Sequence, residues 1–265
     1  IASVTKLFST ALVLQQCERG GLRLEDTIDT YLPGTLLDGL HTLRGVDRSR
    51  QIRVQDLLAH TSGLPDYLWA RRTKRRLFDD LVDAQDSSWT VDDVVQHVRH
   101  VPARFEPGAK RAYYSDTNFQ LLGRILEARV GLPYATLVQQ RICEPLGLIH
   151  TWVPTNAADA RPAPFYVGRK PTPIPRAMIS FGPDGGIVST APELLRFLQA
   201  FVSGQWFDSQ TLRDLLATTY PIMFPMRAGI GVLEWRFPWW LGWLFRVPPY
   251  FGHSGLTGAF AWWSP

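Results

Sequence analysis

Ser3-Val4-Thr5-Lys6 opens the first apolar-periodic segment of the chain. Val4, Leu7, Phe8, Ala11, Leu12, Leu14 and Cys17 recur at helical spacing, which predicts a helix over residues 3–19. Ser3 suits the N-cap, and Gly20-Gly21 suits the stop. A serine and a lysine three apart share a helix face. The positive end of the helix favours negative charge on the serine oxygen. A lysine buried beside it sheds its proton more readily, because desolvation disfavours the ammonium form. Such an amine can take the hydroxyl proton and make Ser3 a nucleophile. The spacing alone is weak evidence, since about one S-x-x-K arises by chance in a chain of this length.

Outward from this helix, residues 22–51 read as loop. A short helix is expected over 54–60, followed by the turn Thr61-Ser62-Gly63-Leu64-Pro65. The basic run 71–76 precedes Asp79, Asp80, Asp83 and Asp86, a pattern of paired charges on a wet surface. Thr90, with Asp92 and Asp93 behind it, reads as a helix cap. Further helices are expected over 117–130 and 134–143, separated by Gly131 and Pro133. Residues 152–184 are proline-rich and lack helical period. Ile187-Val188-Ser189 reads as a short strand. Thr190 then starts a helix to residue 201, with Glu193 completing a capping box. Residues 250–260 read as a strand entry and 259–263 as the strand itself.

Two further motifs carry chemistry. In Tyr114-Ser115-Asp116, a tyrosine beside a lysine can exchange protons. The same stretch also reads as a loop tyrosine before a helix capped by Asp116. In Gly252-His253-Ser254-Gly255-Leu256, Gly255 permits close backbone approach to a substrate. The N–H of Leu256 can pair with that of Ser3 as an oxyanion hole. The stretch also reads as an ordinary glycine-containing strand start. Leucine at 256 departs from G-x-S-x-G, which argues against an α/β-hydrolase elbow.

Together and in this order, the three motifs resemble the serine β-lactamase and penicillin-binding protein superfamily. The resemblance is to the branch of class C β-lactamases, D-alanyl-D-alanine carboxypeptidases and β-lactamase-like esterases. Tyr114-Ser115-Asp116 resembles its Tyr-x-Asn element, and His253-Ser254-Gly255 its His-x-Gly element. Residues 57–64, Phe105-Glu106-Pro107-Gly108, Glu144-Pro145-Leu146-Gly147 and 184–190 are similar to its recurring blocks.

The resemblance implies an α+β fold, an antiparallel sheet flanked by helices plus a mostly helical domain. Residues 1–180 would form the helical part and 181–265 the sheet-containing part. It implies an acyl-enzyme on Ser3, with Lys6 and Tyr114 exchanging protons. Asp116, His253, Ser254, Gly255 and Leu256 would bind substrate, and no metal or organic cofactor is implied. Two positions depart from the pattern. Asp116 replaces an asparagine, so it accepts but does not donate, and it can raise the Lys6 pKa by pairing with it. His253 stands where lysine is the other option, and a neutral imidazole attracts a carboxylate less. Both lean the expectation toward a carboxylesterase acting on small uncharged esters. Peptide or β-lactam amides are the alternative. The family's sheet has strands before the first motif and after the last, so this sheet is expected to be truncated at both chain ends. A non-catalytic remnant or binding module is therefore a third reading.

Trp235, Phe237, Trp239, Trp240, Trp243 and Phe245 crowd one segment. It reads as a packed hairpin, an acyl-binding wall, or a membrane contact over 235–246 flanked by Arg236 and Arg246. The chain has 265 residues, is 45% hydrophobic and carries a net charge of +4. That fits a globular protein with a core, and no aromatic-basic motif argues for nucleic acid. No apolar run reaches the ~20 residues of a membrane span. Cys17 and Cys143 read as buried thiols, and His97 and His100 lack partners at metal-ligand spacing. A sheet edge makes a homodimer an expectation. A signal peptide would lie upstream of Ile1, so the compartment stays open.

Overall fold

The computed structural model describes residues 1–71, 74–238, 240 and 246–265. Its longer helices are α1 (Thr5–Glu18), α2 (Val91–Arg99), α3 (Asp116–Val130), α4 (Pro175–Gly185), α5 (Ala191–Val202) and α6 (Ser209–Ala217). Five strands follow, β1 (Tyr220–Met223), β2 (Met226–Ala228), β3 (Leu233–Trp235), β4 (Tyr250–Ser254) and β5 (Phe260–Trp263).

Helix α1 is the centre of the molecule. Residues 5–15 are buried without a break, so it has no wet face along that stretch. Its polar side chains therefore need partners, and they find them on other elements. The Ser9 hydroxyl donates to Pro183 O at 2.7 Å, and Thr10 reaches Gly231 O at 3.0 Å. Thr5 Oγ1 accepts from the Ile187 N–H at 3.1 Å. Helices α3 and α4 pack against α1, as does strand β4. Phe8 lies flat on Phe197 of α5, with ring centroids 3.6 Å apart.

Helix α4 was not legible, because Gly182, Pro183 and Gly185 hide its period. Pro175 sits in its first turn, where a missing N–H costs nothing. Asp86, far back in sequence, accepts from the N–H groups of Arg176 and Ala177 at 2.9 Å each. That cap is tertiary and leaves no local signature. The helix kinks at Gly182, with φ 38° and ψ −108°. The expected division at 180/181 falls inside this helix.

Other expectations are met or corrected in detail. Thr90 forms a capping box with Asp93. Glu193 does not cap α5. Its carboxylate instead accepts from His150 N at 3.0 Å and from the Thr151 hydroxyl at 2.6 Å, tying the 150–151 segment to the helix. The strand expected at 187–189 reduces to a single bridge between Val188 and Trp152. Arg75 pairs with Asp80 and Asp83 on the surface.

The α+β expectation holds, with an antiparallel sheet in the order β1-β2-β3-β4-β5. Sequence reading took 250–260 as the entry to a single strand at 259–263, whereas the structure forms two strands there, β4 and β5. β1 to β3 are short and contain Pro221, Met223, Met226 and Arg227, so they show no clean alternation. Phe251, His253, Ala261 and Trp263 share one face, which meets the helices. Trp235, Tyr250, Ser254, Phe260 and Trp262 share the other. There Trp235 meets Trp262 edge to face, 5.9 Å between centroids. Trp239, Trp243 and Phe245 lie outside the described residues. No described helix is long and apolar enough to cross a membrane.

Gly123 sets how closely α3 and α4 approach. A Cβ there would lie 2.1 Å from Pro183 Cγ, a ring that cannot rotate away. Gly123→Ala is expected to lower stability by about 1–3 kcal/mol through overpacking, read by urea unfolding. An unchanged midpoint would show that the two helices part freely.

Candidate active site

Ser3 lies inside a single 3-10 turn, Ala2–Val4, that leads into α1. It was expected to cap the helix, but it makes no side-chain cap, and Val4 occupies the N-cap position. Its Oγ faces along the helix to Lys6, whose Nζ donates to it at 3.2 Å. The shared face inferred from three-residue spacing is therefore real, with the serine one short turn outside the α-helix proper.

Lys6 is fully buried. Its ammonium also donates to Asp184 O at 2.6 Å, where the kink of α4 turns a carbonyl inward. Asp116 Oδ1 lies 2.7 Å away, held by charge and off the direction of a regular hydrogen bond. The rings of Tyr114 and Phe119 flank the nitrogen, 5.2 and 5.4 Å from their centroids. Burial pulls the lysine down, but pairing with Asp116 outweighs it, and Lys6 stands above the ordinary lysine value. A neutral amine from burial alone is thus corrected. The aspartate at position 116 keeps the proton on Lys6.

Tyr114 stands beside both groups: its ring centroid lies 5.2 Å from Lys6 Nζ, and Lys6 and Ser3 act on its phenol against the effect of burial. Burial of the phenol raises its ionisation above the ordinary tyrosine value, opposed by the charge of Lys6. Asp116 is the first residue of α3, and Ser115 rather than Asp116 holds the N-cap position. The loop before α3 is fastened to residues 60–68. Ser115 and Thr117 hydroxyls both donate to Pro65 O, at 3.0 and 2.6 Å. The Asp116 N–H donates to Asp66 Oδ2 at 3.2 Å.

His253 projects inward from β4 and is buried. Its Nδ1 donates to Ser254 O at 2.9 Å, which leaves Nε2 as an acceptor. That atom has no hydrogen-bond partner among the described residues. Burial, reinforced by the Lys6 charge, pushes the imidazole down to about 3, so it is neutral. Its ring lies 5.9 Å from that of Tyr114. Ser254 points the other way, and its Oγ accepts from Trp262 Nε1 at 2.9 Å on the outer face. Ser254 was expected among the substrate-binding residues, and strand alternation turns its side chain to the outer face. Gly255 is pressed against the first residues, since a Cβ there would meet Ile1 O at 2.3 Å. The Leu256 side chain is largely exposed.

Three residues that motif reading did not single out complete the cluster. Asp184 Oδ2 accepts from the Tyr67 hydroxyl at 2.8 Å and from Gln120 Nε2 at 2.9 Å. Burial, with the Asp116 charge, raises the Asp184 carboxyl well above the ordinary range. The same causes push Asp66 up to about 8. His60 lies flat on Tyr114, with ring centroids 4.5 Å apart. His60 and Asp184 belong to blocks that carried the family resemblance. Asp66, after the turn at Pro65, carried no local signal. No group of His, Cys, Asp and Glu suited to a metal occurs among the described residues.

A sequence profile of the Beta-lactamase family matches residues 1–265. The chain belongs to the Beta-lactamase family. A putative D-alanyl-D-alanine carboxypeptidase of Escherichia coli is 32% identical over 152 residues, covering 57% of this chain and 32% of that protein. The D-alanyl-D-alanine-carboxypeptidase/endopeptidase AmpH of Escherichia coli is 25% identical over 250 residues, covering 94% of this chain and 60% of that one. The chain thus spans about a third to three fifths of the length of these curated relatives. Among solved structures, a D-stereospecific amidohydrolase from Streptomyces superposes with a TM-score of 0.79 at 25% identity, covering all of this chain and 77% of its own.

Within this Beta-lactamase-family site, the weight of Asp116 on Lys6 can be read directly. In Asp116→Asn, burial of Lys6 is left unopposed by that carboxylate. The alkaline limb of Ser3 labelling by a phosphonate is expected to move down by about 1–3 pH units. An unmoved limb would mean that Asp116 does not control the proton on Lys6.

Proposed function

We propose that the chain is a serine hydrolase that forms an acyl-enzyme on Ser3. One observation carries this reading: Lys6 Nζ donates to the Ser3 hydroxyl at 3.2 Å with the Tyr114 ring beside it, inside a cluster closed by β4. The resting cluster holds protons on both Lys6 and Tyr114. Once it has lost one of them, the freed base takes the Ser3 proton as Oγ attacks a carbonyl. The N–H groups of Ser3 and Leu256 receive the developing oxyanion. The proton then passes to the leaving group, and water releases the acyl group by the reverse sequence. Because Lys6 and Tyr114 both stand above their ordinary values, the competent fraction grows as pH rises.

Substrate class follows from what the cleft offers. His253 is neutral and Asp116 is an acceptor, so neither of these two offers a cation to a substrate carboxylate. This supports small esters first. The relatives' names favour a second reading, in which peptide or other amides are cleaved. β5 pairs with a strand only on its β4 side among the described residues, which supports a homodimer along that edge.

Intact mass after parallel incubation with a penicillin, a phosphonate and a nitrophenyl ester tests the reading, on wild type and Ser3→Ala. A single phosphonyl adduct lost in Ser3→Ala, with ester turnover, is the expected result. A stable or hydrolysed penicillin adduct would move the assignment to β-lactam or peptide amides. An adduct that persists in Ser3→Ala would remove Ser3 as the nucleophile.

A further inference from the structure

His60 is an unusual residue in its own right. It is 2% exposed, and its backbone is left-handed, with φ 56°. A histidine adopts that region only at a cost, and such strain persists where surrounding contacts fix it. Four contacts do so here. The Tyr113 N–H donates to His60 O at 2.9 Å. The Ser115 N–H donates to His60 Nδ1 at 3.1 Å. Asn118 Nδ2 reaches the same nitrogen at 3.2 Å. The ring lies 4.5 Å from that of Tyr114 at an interplanar angle of 26°.

These contacts fix the tautomer. A backbone N–H can only donate, so Nδ1 of His60 carries no proton. Asn118 is oriented by Ser62, whose hydroxyl donates to Asn118 Oδ1 at 2.7 Å, so its amide nitrogen faces His60 as a donor. Protonating Nδ1 would set N–H against two donors. Burial, then the charge of Lys6, also holds the imidazole well below its ordinary value. His60 is therefore a fixed neutral ring and takes no proton in the reaction.

Its place in the chain then has a purpose. Residues 113, 115 and 118 are tied to it on both sides of Tyr114, whose hydroxyl must meet Ser3 and Lys6. We propose that His60 is a positioning residue for Tyr114: its ring backs the tyrosine while its carbonyl and Nδ1 clamp the backbone on either side. This assignment rests on the acyl-enzyme reading above for its catalytic meaning, but its structural content stands without turnover. The groups facing the Tyr114 phenol are Ser3 and Lys6 from the α1 side, Asp116 from α3 and His253 from β4. His60 adds no charge to that set and excludes water from one face.

His60→Asn separates the two contributions. Asparagine tolerates left-handed backbone and offers Oδ1 where Nδ1 stood, but it has no ring. The variant is expected to fold, to keep KM for a nitrophenyl ester, and to lose kcat by about 10- to 100-fold through misplacement of the phenol. Its Tyr114 Cζ resonance, assigned by loss in Tyr114→Phe, is expected to begin titrating at lower pH than in wild type. Wild-type kcat together with an unshifted Tyr114 titration would overturn the proposal. Histidine ring-nitrogen NMR on the wild type is a second test that needs no variant. His60 is expected to show unprotonated Nδ1 and no titration between pH 5 and 8, and a titration there would overturn the clamp. A wild type that hydrolyses nothing would defeat the function while leaving both resonance tests decisive.

Discussion

One buried ion pair organises this molecule. The Lys6 ammonium is fully out of water and meets Asp116 at 2.7 Å. An unpaired charge in such a place costs several kcal/mol, so each element supplying a partner is held to its position. The kink of α4 delivers the Asp184 carbonyl, the N-terminus of α3 delivers Asp116, and the turn before α1 delivers Ser3. Three segments distant in sequence converge on one nitrogen.

The same pair has an electrostatic cost. Three carboxyls, at 66, 116 and 184, surround a single lysine. One cation cannot balance three anions in a dry interior. Burial and the charge of Asp116 answer this by holding Asp66 and Asp184 toward their neutral acids. Their remaining hydrogen bonds run to Tyr67, Gln120 and backbone N–H groups, so the network is structural as well as electrostatic.

Much of the site was legible because its spacing is local. Ser3 and Lys6 share a face by helical geometry alone. Tyr114 and His253 were placed by family resemblance, and the structure sets their rings 5.9 Å apart. What escaped reading is tertiary. Asp86 caps α4 from ninety residues away, and Glu193 leaves its helix end to hold residues 150–151. No window of sequence contains both partners of such contacts. The direction of the Ser254 side chain was also hidden: His253 faces inward, and strand alternation turns the next hydroxyl to Trp262. For Lys6 the sequence offered both effects, burial lowering and Asp116 raising its pKa, and the 2.7 Å distance to Asp116 decides for the second.

The contact of Gly255 with Ile1 has a consequence for how the protein comes to be active. Ser3 and the strand that closes over it are about 250 residues apart in sequence. Closing so long a loop is entropically late, whatever order the helices adopt. During synthesis the serine therefore leaves the ribosome long before the strand that completes its cleft.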